Sequence, residues 1–111
     1  MKEIDIRELL DASGRSPFGR WFEGLNGVAA ARVTVALTRL GHGNFSNVEG
    51  VGSGVYELKI DFGPGYRIYF GNDGERIVIL LCGSSKKRQN AAIAAAQAAW
   101  AEYKRRKGGK E

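Results

Sequence analysis

The chain has 111 residues, 17 basic against 12 acidic side chains, a net charge of +5 and 16 glycines. That length suits one domain with a modest core, and the absence of any apolar run of about 18 residues excludes a membrane-spanning helix. A lone Cys82 and a lone His42 exclude an intrachain disulfide, a cysteine metal cluster and a two-histidine nuclease, and fit a reducing cytosol.

The opening does not read as a secretory signal, since Lys2 is followed by Glu3 and Asp5. Ile4 and Ile6 alternate with Glu3, Asp5 and Arg7, which predicts a short first strand. Ser16-Pro17 is a helix start, with serine as N-cap and proline where its missing N–H costs nothing. Phe18, Trp21, Phe22 and Leu25 then form one apolar stripe, read as core, and Asn26-Gly27 stops the helix. A second helix is predicted over Val28 to Leu40, with Ala30, Val33, Leu37 and Leu40 inward and Arg32 and Arg39 elsewhere. Gly41-His42-Gly43 ends it, and His42 there reads as a surface side chain. So short a link predicts a helical hairpin on one side of a sheet.

Part of Asn44 to Gly54 reads as an edge strand, and its glycines match no nucleotide-binding fingerprint. Val55 to Phe70 is the most informative stretch: two alternating arms around Gly63-Pro64-Gly65. Tyr56, Leu58, Ile60, Phe62, Tyr66, Ile68 and Phe70 fall on a core face. Glu57, Lys59, Asp61, Arg67 and Tyr69 fall on the other, expected to be polar and open. A three-residue loop would set Asp61 opposite Arg67 and Lys59 opposite Tyr69. Gly71-Asn72-Asp73-Gly74 is a turn signal, and Ile77 to Cys82 is apolar without alternation, as in a strand buried on both faces. Lys86 to about Lys107 is a long alanine-rich helix that docks through Ile93, Ala96, Trp100 and Tyr103. These elements define a small α+β domain over 1–111, with a mostly antiparallel twisted sheet, an N-terminal helical hairpin and a long C-terminal helix. The stretch from about 104 to 111 is expected to be a basic, frayed tail.

Charge gathers at that end. From residue 86 onward the chain carries eight basic and two acidic side chains, whereas the rest carries nine and ten. A localised basic end favours a polyanion or an acidic partner, or simply solubility. On the polar face two readings stand. Arg67 with Asp61 is a surface ion pair, or the face does cationic chemistry on phosphate. In the second, Arg67 holds two phosphate oxygens through its planar fork. Lys59 adds a charge, or serves as base if crowding lowers its pKa. Tyr69 stacks on a base or holds the nucleophile, and Lys86, Lys87 and Arg88 reach the same face.

The run from Tyr56 to Phe70, followed by Leu80-Leu81-Cys82-Gly83 and a lysine-rich start to the last helix, resembles the RelE/ParE superfamily of type II toxin–antitoxin toxins. It is most similar to the HigB-like "addiction module killer protein" branch, and the likeness in element order covers nearly the whole chain. The resemblance implies a RelE-like fold and a cytoplasmic toxin. Such a toxin is a ribosome-dependent mRNA endoribonuclease that needs no metal or other cofactor. It implies a cognate helix-turn-helix, HigA-like antitoxin, with the ribosome and mRNA as further partners. Operator DNA is met only through the antitoxin, and no membrane is involved. Lys59 and Arg67 match the lysine before the turn and the arginine of the Tyr-Arg pair, with Tyr69 beside them. Lys86 or Arg88 stands in for the basic residue after the last strand, and Lys87, Arg88, Lys104 and Arg105 are expected to bind RNA. Glu57 departs from the pattern, replacing a lysine. HigB-type histidines are unmatched unless His42 folds over the sheet. A ParE-like toxin that binds DNA gyrase without catalysis is the alternative, as is an inactive remnant.

Overall fold

The computed structural model describes residues 3–108. Elements follow in the order β1 (Asp5–Glu8), α1 (Pro17–Glu23), α2 (Gly27–Gly41), β2 (Val48–Gly52), β3 (Val55–Ile60), β4 (Tyr66–Asn72), β5 (Ile77–Ser85), a single 3₁₀ turn (Lys86–Arg88) and α3 (Gln89–Gly108). The strands form one sheet in the order β1-β5-β4-β3-β2. Only β1 with β5 is parallel; the other three pairings are antiparallel, so the sheet is mixed. The expected α+β domain is what forms, and Ile77 to Cys82 is indeed a strand with apolar neighbours on both faces.

Local chemistry sets the helix ends. Gly19 N–H donates to the Ser16 hydroxyl at 2.8 Å, and Ala29 N–H donates to the Asn26 side chain at 2.9 Å. Asn26 therefore ends nothing by itself: it caps the start of α2. Phe18 of α1 and Ala29, Val33 and Leu40 of α2 are buried against Leu58, Ile60, Ile68, Phe70, Val78 and Leu80 of the sheet. The buried alanine is Ala29, four residues before Val33, and Ala30 is half-buried beside it.

The other face of the sheet is covered too. Ala96 and Trp100 of α3 are buried against Val55, Tyr69, Ile79 and Leu81. Two strand glycines make room for the two tryptophans. A Cβ at Gly71 would come within 2.6 Å of the Trp100 ring, and one at Gly83 within 2.2 Å of the Trp21 ring. Each indole lies flat where a strand has no side chain. A tryptophan and a glycine thus pin one helical layer on each side. No helix among the described residues is long and apolar enough to cross a membrane.

Candidate functional site

The β3–β4 connection is longer than the glycine pattern suggests. The last cross-strand pair is Ile60 with Tyr66, leaving Asp61 to Gly65 as the loop. Gly65 N–H donates to the Phe62 carbonyl at 2.9 Å, closing a turn in which Gly63 has φ +57°, and Gly65 beyond it has φ +86°. Both are conformations that glycine adopts at least cost. The register is therefore displaced by two residues from the expected one. A two-residue shift keeps every side chain on its face and changes every partner.

Lys59 consequently lies opposite Arg67 and Glu57 opposite Tyr69, in place of the expected Asp61–Arg67 and Lys59–Tyr69 pairs. Ser84 of β5 lies opposite Arg67, and Glu49 of β2 lies opposite Glu57. The charges pair along diagonals. Lys59 Nζ is 2.8 Å from Glu49 Oε1, and Arg67 Nε is 3.8 Å from Glu57 Oε2.

Burial divides this face into two parts. The Arg67 and Glu57 side chains are 7% and 6% exposed, whereas Lys59 is 40% exposed. Arg67 Nη1 donates to the Tyr66 carbonyl at 3.1 Å, and its buried Nε makes no hydrogen bond. Tyr69 is fully buried, and its hydroxyl donates to Glu57 Oε2 at 3.1 Å. Burial above all pushes that phenol well above the ordinary tyrosine range; the Ser84 hydroxyl opposes the rise and the Glu57 charge adds to it. Tyr69 therefore cannot stack on a base or touch a nucleophile. The expectation of an open polar face fails here because α3 docks across it.

Lys59 is also corrected in one of its two roles. Its hydrogen bond to Glu49, followed by the attraction of that carboxylate, raises its pKa above the ordinary lysine value. It stays a cation and does not act as a base near neutrality.

Lys86 joins the cluster through the main chain. Its N–H donates to the Gly65 carbonyl at 2.9 Å, and its Cβ lies 3.2 Å from where a Gly65 Cβ would be. Lys86, Lys87 and Arg88 are exposed in the 3₁₀ turn beside the β3–β4 loop. Lys104 and Arg105 are not part of this gathering. Sixteen residues of helix separate Arg88 from Lys104, about 24 Å of rise. Lys104 lies over the Trp100 ring, and Arg105 pairs with Glu102. His42 caps the end of α2, exposed, 3.5 Å from Glu3, and not folded over the cationic cluster. Cys82 is a free thiol that burial pushes up to about 11. Among the described residues, no group of three or more His, Cys, Asp and Glu side chains is placed to hold a metal ion.

Sequence reasoning missed a second set of cations. Arg32 and Arg39, two turns apart on the exposed face of α2, line a groove of about 420 Å³ with Asn47, Lys59, Asp61 and Phe62. Their spacing of seven residues was the available signal.

A mixed five-stranded sheet between helical layers, with Lys59, Arg67 and Lys86 near the end of its central hairpin, defines a small α+β domain. Residues 20–104 match the model of the phage derived protein Gp49-like family (DUF891), so the chain belongs to that family, which is associated with toxin–antitoxin modules. An uncharacterized protein of Haemophilus influenzae is 40% identical over 74 residues, which cover 66% of this chain and 75% of that protein.

Proposed function

We propose that this protein is the toxin of a type II toxin–antitoxin module, a HigB-like member of the RelE/ParE superfamily that cleaves mRNA on the ribosome. The observation that carries this reading is the meeting of Lys59, Arg67 and Lys86 at one end of the sheet. Lys59 and Arg67 are cross-strand partners, and the Lys86 main chain is bonded to the loop between their strands. An RNA 2′-hydroxyl attacks the neighbouring phosphate, losing its proton to water, and the P–O5′ bond breaks to leave a 2′,3′-cyclic phosphate and a 5′-hydroxyl protonated by water. The phosphorane between them carries extra negative charge on its oxygens. Preorganised cations at that point lower the barrier without themselves being consumed. Lys59 and Lys86 act as exposed charges; Arg67, buried beside Glu57, adds its charge from beneath them. Catalysis by this cluster is electrostatic, since Tyr69 is buried and Lys59 keeps its proton. The protein works in the cytoplasm, with the ribosome and mRNA as targets. A HigA-like helix-turn-helix antitoxin covers its basic surface and carries the only contact with operator DNA.

Glu57 favours a second reading. It places a carboxylate where the RelE pattern has lysine, and it partly neutralises the guanidinium that phosphate would need. A ParE-like toxin that acts on gyrase by binding alone, or a member without catalysis, accommodates that residue without difficulty.

The deciding experiment maps 5′ ends on a reporter mRNA in a reconstituted translation reaction. It compares wild type with Arg67→Lys and with Lys59→Gln/Lys86→Gln, which alter the cluster without emptying the buried pair. New ends inside translated codons, lost without ribosomes and in both variants, support the nuclease. Growth arrest with intact mRNA from a folded protein assigns the second reading.

A further inference from the structure

Arg32 and Arg39 are exposed, and neither has a carboxylate within ion-pairing distance among the described residues. Several other cations are paired with acids, among them Arg7 with Asp5, Lys59 with Glu49, Arg67 with Glu57 and Lys107 with Asp73. Seven residues of helix separate the two, about 10 Å along one face, with Val35 and Ala36 between them on the groove floor. The Arg32 guanidinium lies 4.5 Å from the Phe62 ring centroid, giving a cation stacked on an aromatic plane. Asn47 and the Lys59 region form the opposite wall, and Asp61 is the one acid lining the groove.

The groove runs onto the β3–β4 loop. Phe62 and Asp61 line both it and a smaller hollow of about 330 Å³ that ends at Lys86. Between them, Gly63-Pro64-Gly65 raises only a proline ring, and a Cβ at Gly63 would meet nothing within 4 Å. Cations on α2 and cations on the 3₁₀ turn are thus joined by a low crossing.

We propose that the groove between α2 and β3 binds single-stranded RNA, with Arg32 and Arg39 on successive phosphates and the Arg32–Phe62 stack presenting a platform to a base. This rests on the RNA-directed reading above and adds where the strand lies before it reaches Lys59 and Lys86. Guanidinium planes and phenyl rings are surfaces on which unpaired bases stack, and an extended backbone suits a narrow cationic groove better than a duplex does.

The test is fluorescence anisotropy of a labelled single-stranded oligoribonucleotide, titrated at several salt concentrations. Proteins compared are wild type, Arg32→Gln/Arg39→Gln, and a control of equal charge change away from the groove, Arg15→Gln/Arg76→Gln. Loss of two phosphate contacts should weaken binding about tenfold or more and flatten the log–log salt slope by roughly 1.4, with the control near wild type. Equal losses in both double variants, or no change in the groove variant, would overturn the proposal. So would an acidic glutamate-rich peptide that displaces the RNA and binds more tightly. Cleavage is read separately on the same proteins. RNA binding that depends on the groove without mRNA cleavage keeps the track and removes the nuclease. Cleavage lost in Arg67→Lys while Arg32→Gln/Arg39→Gln binds normally does the reverse.

Discussion

Glu57 and Arg67 approach to 3.8 Å with almost no solvent on either side chain, so removing one strands the charge of the other. Arg67→Ala should lower unfolding free energy by about 3–5 kcal/mol, and adding Glu57→Gln should recover a large part of it. Urea denaturation of the two singles and the double measures this; strictly additive losses would show that the groups are not coupled. It is also why Arg67→Lys is the sounder probe of catalysis. Tyr69→Phe removes the hydroxyl that donates to Glu57 and should cost about 1–3 kcal/mol. At Gly71 the constraint is steric, since Trp100 occupies the space of a side chain. Gly71→Ala should cost about 1–3 kcal/mol and move tryptophan emission to the red; unchanged emission would mean that the indole shifts without leaving its seat.

Among the elements, α3 depends on its C-terminal anchor more than its composition suggests. Tyr103 OH donates to Asp73 Oδ2 at 2.6 Å, and Lys107 pairs with the same carboxylate. The helix runs to Gly108, close to the expected end at about Lys107; Lys110 lies outside the described residues. Lys107, then Tyr103, holds Asp73 below the ordinary aspartate pKa. A lowered folded-state value means stability that is present above the unfolded pKa near 4 and lost as pH falls through the folded one. Amide protection over residues 103–108 should therefore drop on acidification below about pH 4. Asp73→Asn should show the weaker protection already at neutral pH and lose the acid dependence. Hydrogen exchange with and without the substitution reads both. If the acid dependence persists in the variant, another carboxylate anchors the helix.

At the scale of the molecule, helices on both faces turn what reads as a half-open hairpin into a buried one and leave the loop end of the sheet as the cationic surface. The strands, the helices, the Ser16 cap, the buried β5 and the docking stripe of α3 were all legible in the residues. So was the division of Val55 to Phe70 into two faces. Of the candidate cluster, the nearness of Lys59, Arg67 and Lys86 was legible, whereas Tyr69 was misread as accessible and Arg32 and Arg39 were passed over. Element type and face follow from periodicity and capping, which act between residues a few positions apart, and these the sequence by itself determined. Which residues meet across strands depends on how many the turn consumes. Whether a polar face sees water depends on where a helix 20 residues long comes to rest. Those distances close only when the chain packs, so the Lys59–Arg67 pairing, the burial of Glu57 and Tyr69, and the groove beside α2 were decided by the tertiary structure alone.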